Sequence, residues 1–288
     1  MLSFLKVLPQ YVLPKQALTN FAGLVAGYPG GNLTTTLIAW FVKRYGVNMA
    51  EAAEPDIVKY ATFNEFFTRP LRADARPFAK AAHICPVDGA ISQFGTIAGD
   101  QVLQAKGHSY STTAIVGGDA SLAAQFENGS FATLYLSPKD YHRIHMPCAA
   151  KLLKMIYVPG ALFSVNPTTA RGVPGLFARN ERVVCVFEAT DGKLKGTQFV
   201  QILVGATIVG SMATTWAGVI NPPRAGKVRE WVYPEKVGGK PIKFKQGDEM
   251  GRFLLGSTVV MLWPKNTITF NAAWQPGNDI RLGEVMGV

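Results

Sequence analysis

Glu249-Met250-Gly251-Arg252-Phe253-Leu254-Leu255-Gly256-Ser257-Thr258-Val259-Val260 reads as β-structure broken at one point. The run is strongly apolar, and the residues from Thr258 on are rich in the Val, Thr and aromatics that strands favour. Gly256-Ser257 interrupts the run, and a glycine inside a strand weakens it. Glycine is expected there if the backbone must approach something closely or adopt an unusual conformation. Outward from this run, residues 131–136, 183–189, 199–211 and 258–270 are rich in Val, Ile, Thr and aromatics, and read as strands. Gly117-Gly118, Pro159-Gly160, Asn221-Pro222-Pro223 and Gly238-Gly239 punctuate them. Short strands with frequent turns predict a compact barrel or sandwich from about residue 84 onward.

The first 60 residues carry a different period. Leu18, Phe21, Ala22 and Val25 recur at helical spacing, as do Leu33, Leu37, Ile38 and Phe41. Tyr28-Pro29-Gly30-Gly31-Asn32 separates the two helices, with Asn32 as the expected N-cap. Lys43 and Arg44 fall in the last turn of the second, where positive charge suits the helix dipole. The predicted class is α+β: amphipathic helices over 1–60, then a β-rich domain over 61–288.

Composition narrows the partners. Of 288 residues, 48% are hydrophobic and 17% charged, with 29 Lys+Arg against 19 Asp+Glu for a net charge of +10. That apolar fraction excludes a disordered chain, and the charged fraction is below the roughly 25% of an ordinary soluble domain. A basic, charge-poor surface suits an anionic membrane or nucleic acid. The first 50 residues contain no Asp or Glu, as suits helices lying at a membrane interface; the alternative is that they simply pack on the core. Residues 33–42 are too few for a spanning helix, which needs about 20 apolar residues. The start of the chain lacks the basic leader of a secretory signal, and Pro9 and Pro14 break its apolar stretch. Cys85, Cys148 and Cys185 form no disulfide pattern, which points to a reducing compartment.

The chemistry-bearing residues are few. His142 and His145 lie in Asp140-Tyr141-His142-Arg143-Ile144-His145-Met146-Pro147, and in an extended chain would face opposite ways. They could be acid–base groups, or one structural and one surface histidine. With Asp140 and Cys148 they could hold zinc on a helix, but Pro147 argues against one, and no metal is expected. Asp88, in Pro86-Val87-Asp88-Gly89-Ala90, could be a turn residue or could orient a histidine. Ser257 fails the Gly-x-Ser-x-Gly elbow because Val259 holds the last position; Gly107-His108-Ser109-Tyr110-Ser111 fails it too. No P-loop or GxGxxG is present.

Leu255-Gly256-Ser257-Thr258 resembles the processing site of phosphatidylserine decarboxylase proenzymes, and the rest of the chain supports the likeness. Phe63-Asn64-Glu65-Phe66-Phe67-Thr68-Arg69-Pro70-Leu71, Pro86-Val87-Asp88-Gly89, Lys106-Gly107 with Tyr110-Ser111, and the block from Asp140 to Pro147 resemble the family's blocks in order. So do Phe163-Ser164-Val165-Asn166-Pro167, Leu176-Phe177-Ala178-Arg179-Asn180-Glu181-Arg182 and Val204-Gly205-Ala206. The shorter bacterial members are the most similar, and the first 50 residues match in character more than in sequence.

The resemblance implies a chain that cuts itself between Gly256 and Ser257. Ser257 Oγ attacks the Gly256 carbonyl, and elimination and hydrolysis leave a covalent pyruvoyl group derived from Ser257 as the cofactor. The products are a β chain (1–256) and an α chain (257–288). It assigns Asp88, His145 and Ser257 to a self-processing triad, the pyruvoyl ketone to Schiff-base formation with the lipid amine, and His142 to the acid–base step of decarboxylation. It implies phosphatidylserine in the bilayer as substrate, with phosphatidylethanolamine and CO2 as products. The enzyme would be peripheral on the cytoplasmic face of a bacterial inner membrane, a homodimer of the cleaved α/β unit, with no nucleic-acid partner. Two other readings stand beside it: a phospholipid hydrolase using Ser257, His145 and Asp88, and a nonenzymatic membrane-binding or nucleic-acid-binding module.

Overall fold

The computed structural model describes residues 7–105, 107–207, 211–221, 224, 226–234, 239–254 and 258–288. Leu255, Gly256 and Ser257, with Lys106, Pro222, Pro223 and Gly238 of the blocks and turns named above, lie outside the described residues.

Helices open the chain: α1 (Pro9–Val12), α2 (Lys15–Gly27) and α3 (Asn32–Tyr45). Asn32 is the first residue of α3 rather than its cap; Gly31 precedes it, and the Thr34 hydroxyl accepts the Gly30 N–H at 3.0 Å instead. Gly46 closes α3 in the left-handed conformation, φ 69°, which costs glycine little. The apolar period of α2 faces outward. Phe21 is 68% and Leu24 74% exposed, and Leu18 and Val25 are exposed with them, while small Ala26 is buried. On α3, Leu33 and Trp40 are exposed and Ile38 is fully buried. Ile38 packs with Phe63, Phe66 and Phe67 of α4 (Phe63–Phe67). The Thr62 hydroxyl accepts the Glu65 N–H at 3.1 Å, and the Glu65 carboxylate accepts the Ala61 N–H at 2.9 Å. This reciprocal cap fixes where the chain enters α4. Among the described residues, no helix is long and apolar enough to cross a membrane.

The remainder is antiparallel. In chain order come β1 (His83–Ile84), β2 (Gly89–Thr96), β3 (Gln101–Ala105), β4 (His108–Ser111), β5 (Ser130–Tyr135), β6 (Arg143–His145), β7 (Ala150–Val158), β8 (Arg182–Ala189) and β9 (Gln198–Val204). Then follow β10 (Met212–Thr214), β11 (Gly218–Asn221), β12 (Arg229–Val232), β13 (Lys243–Phe244), β14 (Glu249–Phe253), β15 (Thr258–Trp263), β16 (Asp279–Ile280) and β17 (Val285–Gly287). The large sheet runs β12-β7-β8-β9-β15-β5-β2-β16, with β13 also on β7. A smaller sheet runs β11-β10-β14-β6. Among the described residues no pairing closes the large sheet, so of the barrel and sandwich alternatives the barrel is not formed.

β15 explains the uninterrupted apolar run of the sequence, because both of its faces are covered. Val259, Met261 and Trp263 enter one core with Leu134, Tyr157 and Phe187. Val260 and Leu262 enter the other with Phe131 and Val184, under the short helices α5 (Thr112–Ile115), α6 (Ala120–Ala124), α7 (Pro167–Gly172) and α8 (Leu176–Arg179). The strand expected over 258–270 stops at Trp263, since Pro264 has no N–H to give the ladder. The one expected over 199–211 stops at Val204.

His83 is buried against Trp263, ring centroids 5.7 Å apart, and burial pushes its pKa down to about 4. The folded state therefore binds fewer protons than the unfolded chain between about pH 6.5 and 4, and stability falls as pH drops through that window. Replacing the imidazole with an uncharged ring, His83→Phe, is expected to flatten the fall of the thermal midpoint between pH 6.5 and 4.

Candidate active site

β14 belongs to the small sheet and β15 to the large one, so the chain passes from one sheet to the other between Leu254 and Thr258. Thr258 is fully buried and pairs with Tyr135 of β5 and Val204 of β9. Ala90 of β2 pairs with Tyr135 from the other side. Asp88, just before β2, thus lies at the same end of the sheet as Thr258, two strands away, or roughly 10 Å. Gly89 permits this approach, because a Cβ there would run into the Tyr135 carbonyl oxygen.

The other flank brings in the histidines. β14 pairs with β6, setting Glu249 opposite His145 and Arg252 opposite Arg143. Glu249 takes an ion pair from Arg143 at 2.9 Å, which clamps β14 to β6, and one from Arg252 of its own strand at 2.7 Å. The Phe253 N–H donates to the His142 carbonyl at 3.0 Å, and the Leu254 N–H to the Ser211 carbonyl at 3.0 Å. Both histidines therefore border the strand that leads into residues 255–257.

His145 has a defined tautomer. Its Nδ1 lies 2.7 Å from the Gly247 carbonyl, which can only accept, so Nδ1 carries the proton. Nε2 keeps a lone pair and accepts from the Tyr141 hydroxyl at 3.1 Å. Burial lowers the His145 pKa against the opposing pull of the Gly247 hydrogen bond. The ring is thus a neutral base at neutral pH. His142 is fully buried and burial takes its pKa down to about 3. Its Nδ1 donates to the Asp140 carbonyl at 2.8 Å and the Phe67 ring lies over it, centroids 4.1 Å apart. His142 Nε2 has no hydrogen-bond partner among the described residues.

Asp88 is bound by groups the sequence did not indicate. Arg76 Nε donates to Oδ1 at 3.0 Å and Nη2 to Oδ2 at 2.5 Å, and the Leu282 N–H donates to Oδ1 at 2.9 Å. Arg76 Nη2 also reaches Glu51 at 2.6 Å. The guanidinium is held well above its ordinary pKa, chiefly by the bond to Asp88. The described hydrogen bonds of Asp88 and His145 do not join the two. Asp88 acts on His145 through space, favouring its charged form. Gly256 and Ser257 lie outside the described residues, so of the candidate set the structure places Asp88, His142 and His145. Tyr141 stood inside a quoted block; Arg76 and Gly247 carried no local signal.

An apolar cavity of about 610 Å3 opens between the N-terminal helices and this end of the sheet. Phe21 and Trp40 line one wall, Phe67, Tyr135 and Leu136 another, and Val165 a third. Two of these residues touch the site: Phe67 lies on His142, and Tyr135 pairs with Thr258.

A family model described as phosphatidylserine decarboxylase matches residues 63–288, and a second, described as PSD, matches residues 5–46. The chain belongs to the phosphatidylserine decarboxylase family. A phosphatidylserine decarboxylase proenzyme of Albidiferax ferrireducens is 70% identical over 98% of this chain and 96% of its own length. That of Dechloromonas aromatica is 70% identical over 98% and 97%, and that of Herminiimonas arsenicoxydans 68% over 98% and 93%. Membership makes this phosphatidylserine decarboxylase a carboxy-lyase of phospholipid synthesis. In this decarboxylase, removing Arg76 would strand a buried carboxylate. Arg76→Met is expected to lower unfolding stability by about 3–5 kcal/mol, read from denaturant titration.

Proposed function

We propose that the chain matures by cutting itself between Gly256 and Ser257, and that the matured enzyme decarboxylates phosphatidylserine at a membrane surface using a pyruvoyl group made from Ser257. The observation that carries this is the convergence on the β14–β15 junction of a neutral histidine with a defined base nitrogen, a buried carboxylate and a second histidine with an unpartnered Nε2. A serine hydroxyl needs such a base. His145 takes the Ser257 proton at Nε2 while Gly247 holds the ring, and Tyr141 yields its hydrogen bond to the incoming hydroxyl. Asp88 favours the imidazolium through space, which replaces the direct orienting bond of a Ser-His-Asp triad.

The surroundings fit a covalent keto group. Thr258 through Trp263 are buried, and Thr258 Oγ1 has no partner among the described residues. The pyruvoyl ketone would supply the electron sink that receives the electrons released with CO2. His142 Nε2, which rests without a proton while Nδ1 donates to Asp140, would take one from the substrate ammonium as the amine condenses and return it to the former α-carbon, and Phe67 keeps water from that nitrogen.

The cavity supports a lipid substrate, since its walls are apolar and it runs from the helices to Tyr135 and Phe67. Exposed Phe21, Leu24, Leu33 and Trp40, with no acid in the first 50 residues and a net charge of +10, support docking of residues 1–60 on anionic lipid. The family resemblance alone supports the inner-membrane cytoplasmic face and a homodimer of cleaved α/β units.

Mass spectrometry and CO2 release test the reading together. Wild type should give chains 1–256 and 257–288, the latter with a blocked N-terminus sensitive to borohydride. Ser257→Ala should stay uncut and inactive. His145→Ala should slow cleavage by about 10²–10⁴-fold, and Asp88→Asn should slow it less. His142→Ala should cut normally yet decarboxylate poorly. An intact, active wild-type chain would overturn the proposal in favour of a hydrolase.

A further inference from the structure

Arg69 is a buried cation with no ion pair among the described residues; its guanidinium lies 5.3 Å from the centre of the Phe66 ring. It follows α4 closely and is 3% exposed. Its hydrogen bonds are long: Nη1 to the Phe66 carbonyl at 3.4 Å and Nη2 to the Lys139 carbonyl at 3.4 Å. Nε has no partner. The carboxylates that act on it do so through space, and each is engaged elsewhere: Asp88 and Glu51 with Arg76, Asp140 with the Ser137 N–H. A buried cation without a counter-ion costs several kcal/mol, so this position is costly unless an anion arrives. It is also not alone. His142 Nε2 and Ser137 Oγ, in the loop that receives Arg69, are buried without partners among the described residues, and Arg69 is close enough to His142 to disfavour its protonation. Phe67 and Pro138, beside these residues in the chain, line the apolar cavity. The unsatisfied polar groups therefore stand just behind the cavity wall, where the head group of a lipid would meet it.

We propose that Arg69 binds an oxyanion of the substrate head group, either the serine carboxylate or the phosphodiester. Both present two acceptor oxygens to a planar guanidinium fork. Binding exchanges two weak carbonyl contacts for a charge-assisted pair in a desolvated site, beside the nitrogen that handles the decarboxylation proton. The inference rests on the decarboxylase reading and names the residue that selects its substrate.

The test uses full-length Arg69→Met and Arg69→Lys, scored first for self-cleavage and then for decarboxylation. Both variants are expected to cleave at the wild-type rate. Arg69→Met should raise KM for phosphatidylserine roughly tenfold to hundredfold, with part of the loss restored in Arg69→Lys. Competition with soluble glycerophosphoserine and glycerophosphoethanolamine separates the two sources. If Arg69→Met weakens inhibition by the serine compound alone, the carboxylate is the ligand; if it weakens both, the phosphodiester is. A cleaved Arg69→Met with unchanged KM and unchanged inhibition overturns the proposal. So does failure of both variants to cleave, which would assign Arg69 to folding or maturation. Failure of the decarboxylase reading shows separately, as wild-type protein that neither cleaves nor releases CO2.

Discussion

The double hydrogen-bond ladder of β15 is the constraint on which the site depends. Five residue pairs tie it to β9 and six to β5, and every side chain from Thr258 to Trp263 is buried. A strand held on both edges and both faces cannot shift its start without moving the whole core. Thr258 is therefore a fixed point, and Asp88 inherits its place from it through β5 and β2. The same ladder bears on the proposed maturation. A chain beginning at residue 257 would own the central strand of the large sheet, together with β16 against β2 and β17 against β1. Cutting one peptide bond beside such a strand releases local backbone and leaves the packing that holds the fragment.

Electrostatics at the site follow from keeping water out. Burial makes both histidines weaker bases than free imidazole, the cost of a dry environment. The fold offsets it for His145 with a peptide carbonyl on Nδ1 and carboxylates within electrostatic reach, Glu249 and Asp88. It does not offset it for His142, whose Nδ1 bond to Asp140 is outweighed by full burial and by the nearby Arg69 cation. The two histidines thus differ by environment and not by sequence, and that difference is what separate processing and decarboxylation roles require.

The sequence was legible where a pattern is local. The α2 and α3 periods, the strand after Ser257 and the His142–His145 block could each be read within a dozen residues. What a period cannot state is which way it faces. Much of the apolar side of α2 is exposed and borders the cavity while Thr19 and Ala26 are buried, and that outcome depends on partners distant in the chain. The partners of Asp88 and His145 were illegible for the same reason. Leu282 is 194 positions from Asp88, Gly247 is 102 from His145, and Arg76 is one of many arginines. Loops closed over such separations leave no trace in spacing.

The position of the cavity joins these arguments. Its walls come from α2, α3, α4, the start of the loop after β5 and the loop before α7, so it exists only when the N-terminal helices sit against the sheet. Tyr11 packs edge-on against Phe163 and Gln10 binds Thr169 and the Ser164 N–H, which pins α1 to that loop. The helices that expose Phe21 and Leu24 outward thus also form the inner wall leading to Phe67 and His142. A diacyl lipid leaving a bilayer along α2 would find continuous apolar surface up to the point where polar groups first lack partners. Apolar burial along that route favours entry of the chains without distinguishing head groups. Discrimination between head groups then falls to the polar end, where leaving a buried donor unpaired costs about 1–3 kcal/mol.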